Sequence, residues 1–360
     1  MRALVAMSGG VDSSVAAALM IDQGYDVIGV TLKQWEGPDG AMPVAGCCTL
    51  SDAEDARRVA AQLDVPYYVL DYVEEFTAAV VEPFAQGYLE GLTPNPCIEC
   101  NRNVRFDALL DRTAELGCDV LVTGHHARVV ERDGRFQLTR AVDGTKDQSY
   151  VLHMLDQHAL SMVKLPIGEM TKVEVRQIAT DMGLRTAAKP DSQDICFVTS
   201  GDYRDFLRNT HPEVTAPGDV LDTDGDVIGG HDGTAGFTIG QRKGLGVSVG
   251  EPRYVLDIAP KERTITIGRY EDLLVDGCVV TDMRFTDIPP GAGEPVSVKV
   301  RYRSEPVPAT IEQTGDRWVF TFEERQARPA PGQALVMYRD DVVLGGGTIV
   351  ASDDRVTAGR

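Results

Sequence analysis

Two cysteines in this sequence have a spacing suited to sulfur chemistry. Cys97 and Cys100 form a C-x-x-C within the proline-flanked segment T-P-N-P-C-I-E-C-N, residues 93–101. The segment precedes a predicted helix that contains Arg102 and Arg105. A helix N-terminus and nearby positive charge favour the thiolate, which is the nucleophilic form of cysteine. The pattern therefore predicts a reactive thiol in a rigid loop.

A third cysteine, Cys196, stands in the polar segment D-S-Q-D-I-C-F, residues 191–197, which is not typical of core sequence. Seven clustered cysteines in a long chain favour thiol chemistry or metal binding over structural disulfides. A structural zinc site needs about four ligands, and the second C-x-x-C that would complete one is absent. A [4Fe-4S] cluster held by Cys97, Cys100 and Cys196 stays an alternative. The other cysteines are interpreted as structural or incidental: Cys47, Cys48, Cys118 and Cys278.

A glycine-rich loop, M-S-G-G-V-D-S-S over residues 7–14, lies between the first predicted strand and helix. Its glycines let backbone N–H groups approach a phosphate, and the helix N-terminus adds a favourable dipole. Ser13 and Ser14 add hydroxyl donors, and Asp12 could cap the helix or bind magnesium. The lysine-containing loop of kinases and GTPases is absent. The loop resembles that of the ATP-pyrophosphatase (PP-loop) family, which implies cleavage between the α and β phosphates and transfer of AMP.

Alternating strands and helices position these residues. The predicted strands are Ala3–Met7, Asp26–Leu32, Pro66–Leu70 and Asp119–Thr123. The predicted helices are Ser13–Gln23, Ser51–Leu63, Glu74–Glu90 and Asn103–Leu116, followed by a mostly helical stretch from Gln148 to Asn209. This order predicts a doubly wound α/β domain with a parallel sheet. His125 and His126 follow the last of these strands and should face the nucleotide crevice at its carboxyl end.

Turn signals divide the remainder of the chain. Asp133-Gly134 predicts a hairpin, and Thr171 with Glu174 fits a capping box. After about residue 215, short alternating runs and Asp-Gly turns indicate an all-β region. We therefore predict three domains: a catalytic domain with a helical tRNA-binding insertion at 1–212, a small β-rich domain at 213–275 and a β-barrel at 276–360.

Composition limits the class of protein. The chain has 360 residues, of which 43% are hydrophobic and 25% charged, as in ordinary soluble proteins. No apolar run approaches the roughly 18 residues of a membrane span, and no secretory signal is evident, so we expect a cytoplasmic protein without a membrane partner. The net charge of −20 argues against a general nucleic-acid binder but permits an RNA enzyme with a local basic face. One candidate face comprises Lys164, Lys172, Arg176, Arg185 and Lys189.

Several long motifs follow one another along the chain. They are S-G-G-V-D-S-S (8–14), T-P-N-P-x-x-x-C-N (93–101), T-G-H-H-A-R (123–128), K-D-Q-S-Y (146–150), D-S-Q-D-I-C-F (191–197), H-D-G-T-A-G-F-T-I-G-Q-R-K-G-L-G (231–246) and R-Y-R (301–303). In this order they resemble the bacterial tRNA-specific 2-thiouridylases of the MnmA type over nearly the whole chain. The resemblance implies ATP- and Mg²⁺-dependent conversion of the wobble uridine in the tRNAs for Glu, Gln and Lys to 2-thiouridine.

The resemblance also implies roles for matching residues. The ATP-binding residues would be Ala6, Met7, Ser8, Gly9, Gly10, Val11, Asp12, Ser13, Leu32 and Gly124. Cys100 matches the nucleophile, and Cys196 the cysteine that receives a persulfide from a cysteine desulfurase or a sulfur relay protein. Asn95, Pro96 and Cys97 would lie against the target base. The tRNA would contact Lys146, Asp147, Gln148, Arg301 and Tyr302. In one version of the family pattern, an aspartate occupies the place of Cys97.

The proposed thiolation needs two chemical steps, activation of the uridine and delivery of sulfur. The uridine C2 oxygen is a poor leaving group until AMP is transferred to it. Cys100 could then attack persulfidated Cys196 and release hydrosulfide, leaving a disulfide, or it could attack the base directly. Two other interpretations are possible. The first is another adenylating PP-loop ligase, but such an enzyme has no use for paired cysteines. The second is a non-catalytic iron–sulfur or RNA-binding protein, but such a protein has no use for the phosphate loop.

Overall fold

The computed structural model describes residues 1–36, 49–191, 195–198, 201–247 and 250–351. Cys47 and Cys48 and the segment 192–194 lie outside these ranges, so the interpretation of those two cysteines stays a prediction. Within the described residues, no helix is both long enough and apolar enough to cross a membrane.

Strands and helices alternate through the first 122 residues, as predicted. The elements are β1 (Arg2–Ala6), α1 (Val11–Asp22), β2 (Asp26–Lys33), α2 (Leu50–Gln62), β3 (Tyr67–Asp71), α3 (Val73–Phe76), α4 (Glu82–Leu89), α5 (Pro96–Glu99), α6 (Leu109–Glu115) and β4 (Val120–Val122). Two π-helical segments interrupt the predicted helices, Thr77–Val81 between α3 and α4 and Cys100–Ala108 between α5 and α6.

The next stretch contains a hairpin and short helices. Its elements are β5 (Ala127–Arg132), β6 (Arg135–Arg140), α7 (Gln157–Met162), β7 (Val163–Lys164), α8 (Lys172–Asp181) and α9 (Tyr203–Thr210), with 3₁₀ turns at Ser149–Leu152, Arg185–Ala188 and Pro212–Thr215. Asp133 and Gly134 both have positive φ, at 52° and 74°, as the hairpin turn requires. The predicted capping box is present, since the Thr171 side chain accepts from the Glu174 N–H and Glu174 reaches back to the Thr171 N–H.

A five-stranded parallel sheet, in the order β3-β2-β1-β4-β7, forms the centre of the N-terminal part. Alternate residues of β1 face opposite sides of the sheet. Leu4 packs into one hydrophobic cluster with Phe84 and Val104, whereas Ala3 and Val5 join a second cluster with α1, α2 and α8. Helices therefore cover both faces, and the predicted doubly wound fold is confirmed.

The remaining strands form two further β units. A four-stranded sheet, in the order β10-β11-β8-β9, comprises β8 (Gly218–Leu221), β9 (Val227–His231), β10 (Tyr254–Ala259) and β11 (Thr264–Gly268). The C-terminal strands are β12 (Leu274–Phe285), β13 (Pro295–Lys299), β14 (Val307–Thr314), β15 (Arg317–Ala327), β16 (Ala334–Arg339) and β17 (Val342–Ala351). They pair as β12-β15-β14-β13-β16-β17, and β12 pairs again with β17. This closure confirms the predicted barrel.

The hairpin of the N-terminal part extends the sheet of the barrel. Val342 of β17 pairs with Thr139 of β6, and Arg128 donates to the Asp341 carboxylate at 2.7 Å. The large hydrophobic cluster under the parallel sheet also includes Tyr338 and Val343 of the barrel. The two units therefore share both a sheet edge and a core.

Candidate active site

The phosphate loop connects β1 to α1 at the carboxyl edge of the parallel sheet. Gly9 has φ +71°, and a Cβ at this position would lie 2.1 Å from the Asp52 carbonyl oxygen. Glycine is therefore needed both for backbone conformation and for the close approach of α2. Gly10 has more space, since the nearest atom to a Cβ there would be Ser8 Oγ at 3.5 Å.

Internal hydrogen bonds hold the loop in shape. The Ser8 N–H donates to Ser13 Oγ at 3.1 Å, and Ser13 Oγ donates to the Gly10 carbonyl at 3.2 Å. Thr31 Oγ1 of β2 donates to the Met7 carbonyl at 2.5 Å. Ser14 Oγ also donates to Gly10, so both hydroxyls expected to point at phosphate serve the loop itself in this structure. Both serines bond to the loop because Gly10 immediately precedes α1, which places its carbonyl within hydrogen-bond distance of Ser13 and Ser14.

The other two residues expected to border the nucleotide lie beside this loop. Leu32 is buried near the end of β2, whose partner strand β1 runs into the loop. A Cβ at Gly124 would lie 2.6 Å from the Ser13 N atom, so the chain after β4 passes directly against the start of α1. Binding of ATP by these residues stays a prediction.

A network of ion pairs surrounds the loop. Lys172 Nζ lies 2.7 Å from both carboxylate oxygens of Asp12 and 2.9 Å from Asp191. Burial opposes ionisation of Asp12, but hydrogen bonds from His126 and Lys172 outweigh it and lower the pKa of the carboxyl. Asp191 also accepts from Lys146 and Arg176. Burial opposes its ionisation, but the hydrogen bonds and charges of Lys146 and Lys172 outweigh burial and lower its pKa to about 2.

Lys189 adds a cation at the loop itself. Its Nζ donates to the Gly9 carbonyl at 3.0 Å, to Asp52 at 2.7 Å and to Asp55 at 2.8 Å. Burial acts against its charge, but the two carboxylates raise the pKa of the ammonium. The predicted basic face for RNA is therefore wrong as a single exposed surface, because Lys172, Arg176 and Lys189 neutralise carboxylates around the loop.

The two histidines after β4 differ in surroundings. His125 is buried, its Nδ1 lies 2.7 Å from Thr123 Oγ1, and burial with the nearby Arg105 charge lowers its pKa to about 3. His126 Nε2 lies 3.3 Å from Asp12 Oδ1. His126 therefore contacts the loop, and His125 is a neutral residue of the core beside it at physiological pH.

Cys100 lies at the first position of the π-helical segment Cys100–Ala108 and is 5% exposed. Gln34, which directly follows β2, donates from Nε2 to Cys100 Sγ at 3.2 Å. No motif marked Gln34, and its only sequence signal was its position at the carboxyl end of a predicted strand. The phosphate loop therefore follows β1, and the residue that contacts Cys100 follows the adjacent strand β2.

The sequence predicted that Cys97 lies in a loop before a helix. In the structure, Cys97 instead lies within the first turn of a helix. Helix α5 begins at Pro96, because Asn95 caps it by accepting from the Cys97 N–H at 3.1 Å and proline suits the first helical position. Cys97 is exposed in the first turn, whereas Cys100 is buried at the end of that turn.

Cys196 is half-buried against the hydrophobic cluster that contains Cys100. The neighbouring Phe197 is fully buried and anchors the segment, with its ring 5.2 Å from Phe84, 5.1 Å from Phe206 and 6.3 Å from Trp35. The sequence analysis did not predict that Phe197 anchors this segment. The described cysteines are thiols, and burial raises the pKa of Cys118 and Cys278, consistent with their interpretation as structural.

The side chains that could bind a metal ion are not grouped as a metal site requires in the part of the chain that the structure describes. Among the described ranges, no group of three or more His, Cys, Asp or Glu side chains is arranged to hold a metal ion. Cys97, Cys100 and Cys196 therefore do not form the three-thiolate set that a [4Fe-4S] cluster would need. Asp12, the candidate magnesium ligand, has both oxygens at Lys172, which a metal ion would have to displace.

A loop of the barrel contacts the segment that precedes the C-x-x-C. The Thr93 carbonyl accepts from Gln333 Nε2 at 2.5 Å, and the Thr93 N–H donates to the Pro331 carbonyl, so a barrel loop braces the segment of Asn95 and Pro96. The Tyr302 ring lies 5.9 Å from the Tyr150 ring. Burial, with the charge of Asp147, raises the pKa of Tyr302.

The K-D-Q motif is largely occupied by internal contacts. Asp147 is 6% exposed and accepts from Arg140, from the Ala141 N–H and from Ser149. Gln148 Oε1 accepts from the His126 N–H at 2.8 Å. Arg301 donates weakly to the carbonyls of Ile239 and Arg328, both at 3.4 Å. These residues shape the site, and their contact with tRNA stays a prediction.

Comparison with known proteins finds similar chains over nearly the whole length. A family model described as "tRNA methyl transferase HUP domain" matches residues 1–200. A tRNA-specific 2-thiouridylase MnmA from Carboxydothermus hydrogenoformans is 47% identical over 355 residues, which cover 97% of each chain. The same-named protein of Clostridioides difficile is 44% identical over 356 residues, or 98% of each chain.

The chain belongs to the tRNA-specific 2-thiouridylase family. The resemblance inferred from its motifs is thereby confirmed. Further family models, described as "tRNA methyl transferase PRC-barrel domain" and "Aminomethyltransferase beta-barrel domain", match residues 204–269 and 275–349. Among solved structures, a 4-thiouridine synthetase–RNA complex with bound ATP covers 59% of this 2-thiouridylase-family chain and 50% of that chain, with 16% identity and a TM-score of 0.37. This likeness is too distant to bear on function.

Proposed function

We propose that this chain is an ATP-dependent tRNA-uridine 2-sulfurtransferase that converts the wobble uridine to 2-thiouridine and releases AMP and pyrophosphate. The observation that carries the proposal is a PP-loop at the carboxyl end of one strand and, at the carboxyl end of the adjacent strand, a residue that contacts a buried cysteine. Gly9 and Gly10 form the loop after β1, and the residue after β2 contacts Cys100. Adenylation and sulfur transfer need these two groups within reach of one base.

Adenylation is the first step. The uridine O2 attacks the α phosphorus of ATP, the α–β bond breaks, and pyrophosphate leaves. The N-terminus of α1 offers backbone N–H groups and a positive dipole end to the phosphates, and Lys189 adds a cation beside Gly9. Mg²⁺ bound with ATP would neutralise the departing pyrophosphate. The fixed geometry of the loop favours the transition state because its donors need no reorganisation.

Sulfur transfer follows at C2. A donor protein loads Cys196 with a persulfide, and Cys100 then acts as the nucleophile. If the Cys100 thiolate attacks Sγ of Cys196, hydrosulfide leaves, displaces AMP from C2, and a Cys100–Cys196 disulfide remains for a thiol reductant to cleave. If Cys100 attacks C2, AMP leaves and a covalent enzyme–tRNA adduct forms. The terminal sulfur of the Cys196 persulfide then displaces Cys100 from C2, and the freed Cys100 thiolate attacks Sγ of Cys196, which releases 2-thiouridine and leaves the same disulfide. The packing of both cysteines against one hydrophobic cluster supports either route.

The substrates proposed are the tRNAs for Glu, Gln and Lys, and the donor is a cysteine desulfurase or a relay protein. Asn95 and Tyr302 are suited to a base turned out of its stack, since one offers an amide donor and the other an aromatic face. The net charge of −20 favours specific recognition over general RNA binding.

Reconstitution tests the proposal. Purified protein would be incubated with ATP, Mg²⁺, a sulfur donor and unmodified tRNA for Glu, and the digested tRNA examined by mass spectrometry. We expect 2-thiouridine from the wild type and from the control Cys118→Ala, whose buried thiol lies in no proposed step. We expect none from Cys100→Ala or Cys196→Ala.

Other outcomes identify the alternatives. Thiouridine that survives loss of Cys196 would indicate free sulfide or cluster-borne sulfur. AMP formation that needs no tRNA, with no thiouridine from any donor, would contradict the proposal and favour a PP-loop ligase.

A further inference from the structure

Gln34 is a buried polar residue that no motif and no step above accounts for. It is 2% exposed, and its amide Nε2 donates to Cys100 Sγ at 3.2 Å. Cys100 is itself 5% exposed, so the contact lies in a region of low dielectric. A polar side chain buried to this extent is costly unless its hydrogen bonds are worth making.

The hydrogen bond favours one ionisation state of the sulfur. A thiol sulfur is a weak acceptor, whereas a thiolate is a strong one, and hydrogen bonds to charged acceptors are roughly twice as strong as neutral ones. The glutamine amide keeps its N–H donors at every working pH. It therefore stabilises the anion without adding a charge that could pair with the AMP or phosphate groups nearby.

The position of Gln34 connects it to the adenylation site. Three residues before Gln34, on β2, Thr31 Oγ1 donates to the Met7 carbonyl of the phosphate loop. The carboxyl end of β2 thus holds the loop with one side chain and the Cys100 sulfur with another. Because the strand is fixed in the sheet between β1 and β3, the sulfur has a defined position relative to the loop.

We propose that Gln34 is a positioning residue for Cys100, which orients Sγ as a hydrogen-bond acceptor and stabilises the buried thiolate that attacks. The inference rests on the proposed function only for the role of Cys100 as nucleophile. The hydrogen bond and its effect on thiolate reactivity can be tested without tRNA.

The test is the pH dependence of Cys100 alkylation in the full-length protein. Iodoacetamide would be added across a pH series, and modification of Cys100 followed by tandem mass spectrometry. Three variants change the amide that donates to Cys100. Gln34→Asn keeps an amide on a shorter side chain, so that it lies farther from the sulfur. Gln34→Met removes the amide, and Gln34→Glu replaces it with a carboxylate. Gln313→Met, at an exposed position on the barrel, is the matched control.

We expect the rate profile to move to higher pH in the Asn and Met variants, with about ten-fold slower alkylation at neutral pH. The Glu variant should move further, because a carboxylate repels the thiolate. A simple change in access would instead scale the rate equally at every pH. Circular dichroism and melting would identify any variant that fails to fold, and Gln34→Asn, smaller and neutral, is the most readily accommodated.

Profiles that coincide with wild type in the folded variants would overturn the inference. So would equal shifts in the Met and Glu variants, since packing alone makes no distinction of charge. These results are independent of thiouridine formation. A wild-type protein that makes no thiouridine, yet shows the expected alkylation order, would contradict the proposed function and leave the role of Gln34 intact.

Discussion

At the scale of single residues, charge around the phosphate loop is fixed by pairing and burial. Asp12 and Asp191 stay ionised because Lys172 and its neighbours neutralise them, and His125 stays neutral because it is buried. The carboxylates and cations around the loop are therefore paired with one another in the folded chain.

The burial of His125 predicts a pH-dependent stability. Its pKa is about 3 in the folded protein and 6.5 in the unfolded chain. Between these values the unfolded state binds the proton and the folded state does not, so stability falls as pH decreases from 6.5 towards 3. One such group contributes at most about 1.4 kcal/mol per pH unit.

Urea unfolding at several pH values between 4 and 7 measures this effect. His125→Asn, which can keep the contact to Thr123 but does not titrate, should show a shallower decline of unfolding free energy with falling pH than wild type. Parallel curves for the two proteins would show that His125 is not the titrating group.

At the scale of elements, the start of α5 determines where the cysteines lie. Asn95 caps this single turn, and the chain then continues as the π-helical segment that begins at Cys100. π-Helical turns are uncommon and occur frequently at functional sites, because they shift the side chains that follow. The cap and the π segment together place Cys97 outside and Cys100 inside.

We expect Asn95→Ala to lower the free energy of unfolding by about 1 kcal/mol, as for loss of a helix cap. Asn95→Asp keeps the oxygen that accepts from Cys97 and should retain wild-type stability. It lacks the amide donor for a base, so both variants should raise the apparent KM for tRNA. Urea unfolding and steady-state thiolation make the comparison.

Asp156→Ala, which removes the cap of α7, provides the matched control: similar loss of stability with an unchanged KM for tRNA. If Asn95→Asp thiolates tRNA with wild-type kinetics, Asn95 acts only as a cap and does not contact the base.

At the scale of the whole molecule, the barrel is part of the site. Its strand β17 pairs with the hairpin, its residues Tyr338 and Val343 enter the cluster under the parallel sheet, and Gln333 braces the segment before the C-x-x-C. A chain with separate units would leave this apolar surface exposed. We infer that the α/β part and the barrel stabilise each other.

The two tryptophans test this inference, since Trp35 packs on Phe197 in the α/β part and Trp318 packs on Phe285 in the barrel. In Trp35→Phe the remaining tryptophan, Trp318, reports unfolding of the barrel. In Trp318→Phe the remaining tryptophan, Trp35, reports unfolding of the α/β part. We expect each to unfold in one transition that coincides with the loss of far-ultraviolet dichroism of the same variant. A dichroism curve with two steps, one matching each tryptophan, would show independent units.

The sequence alone determined the family, the order of strands and helices, and the loop between β1 and α1. These follow from local signals: apolar runs, glycine pairs and capping residues act over a few neighbours in the chain. The capping box at Thr171 and the hairpin turn at Asp133 were readable for the same reason.

The tertiary structure alone decided which side chains meet. Gln34 and Cys100 are 66 residues apart, and Lys172 and Asp12 are 160 apart, so no local pattern could indicate either pair. Three of the basic residues read as an RNA face, Lys172, Arg176 and Lys189, proved to be partners of half-buried carboxylates for this reason. The attachment of the hairpin to the barrel likewise depends on the pairing of Thr139 with Val342, which only the folded chain brings together.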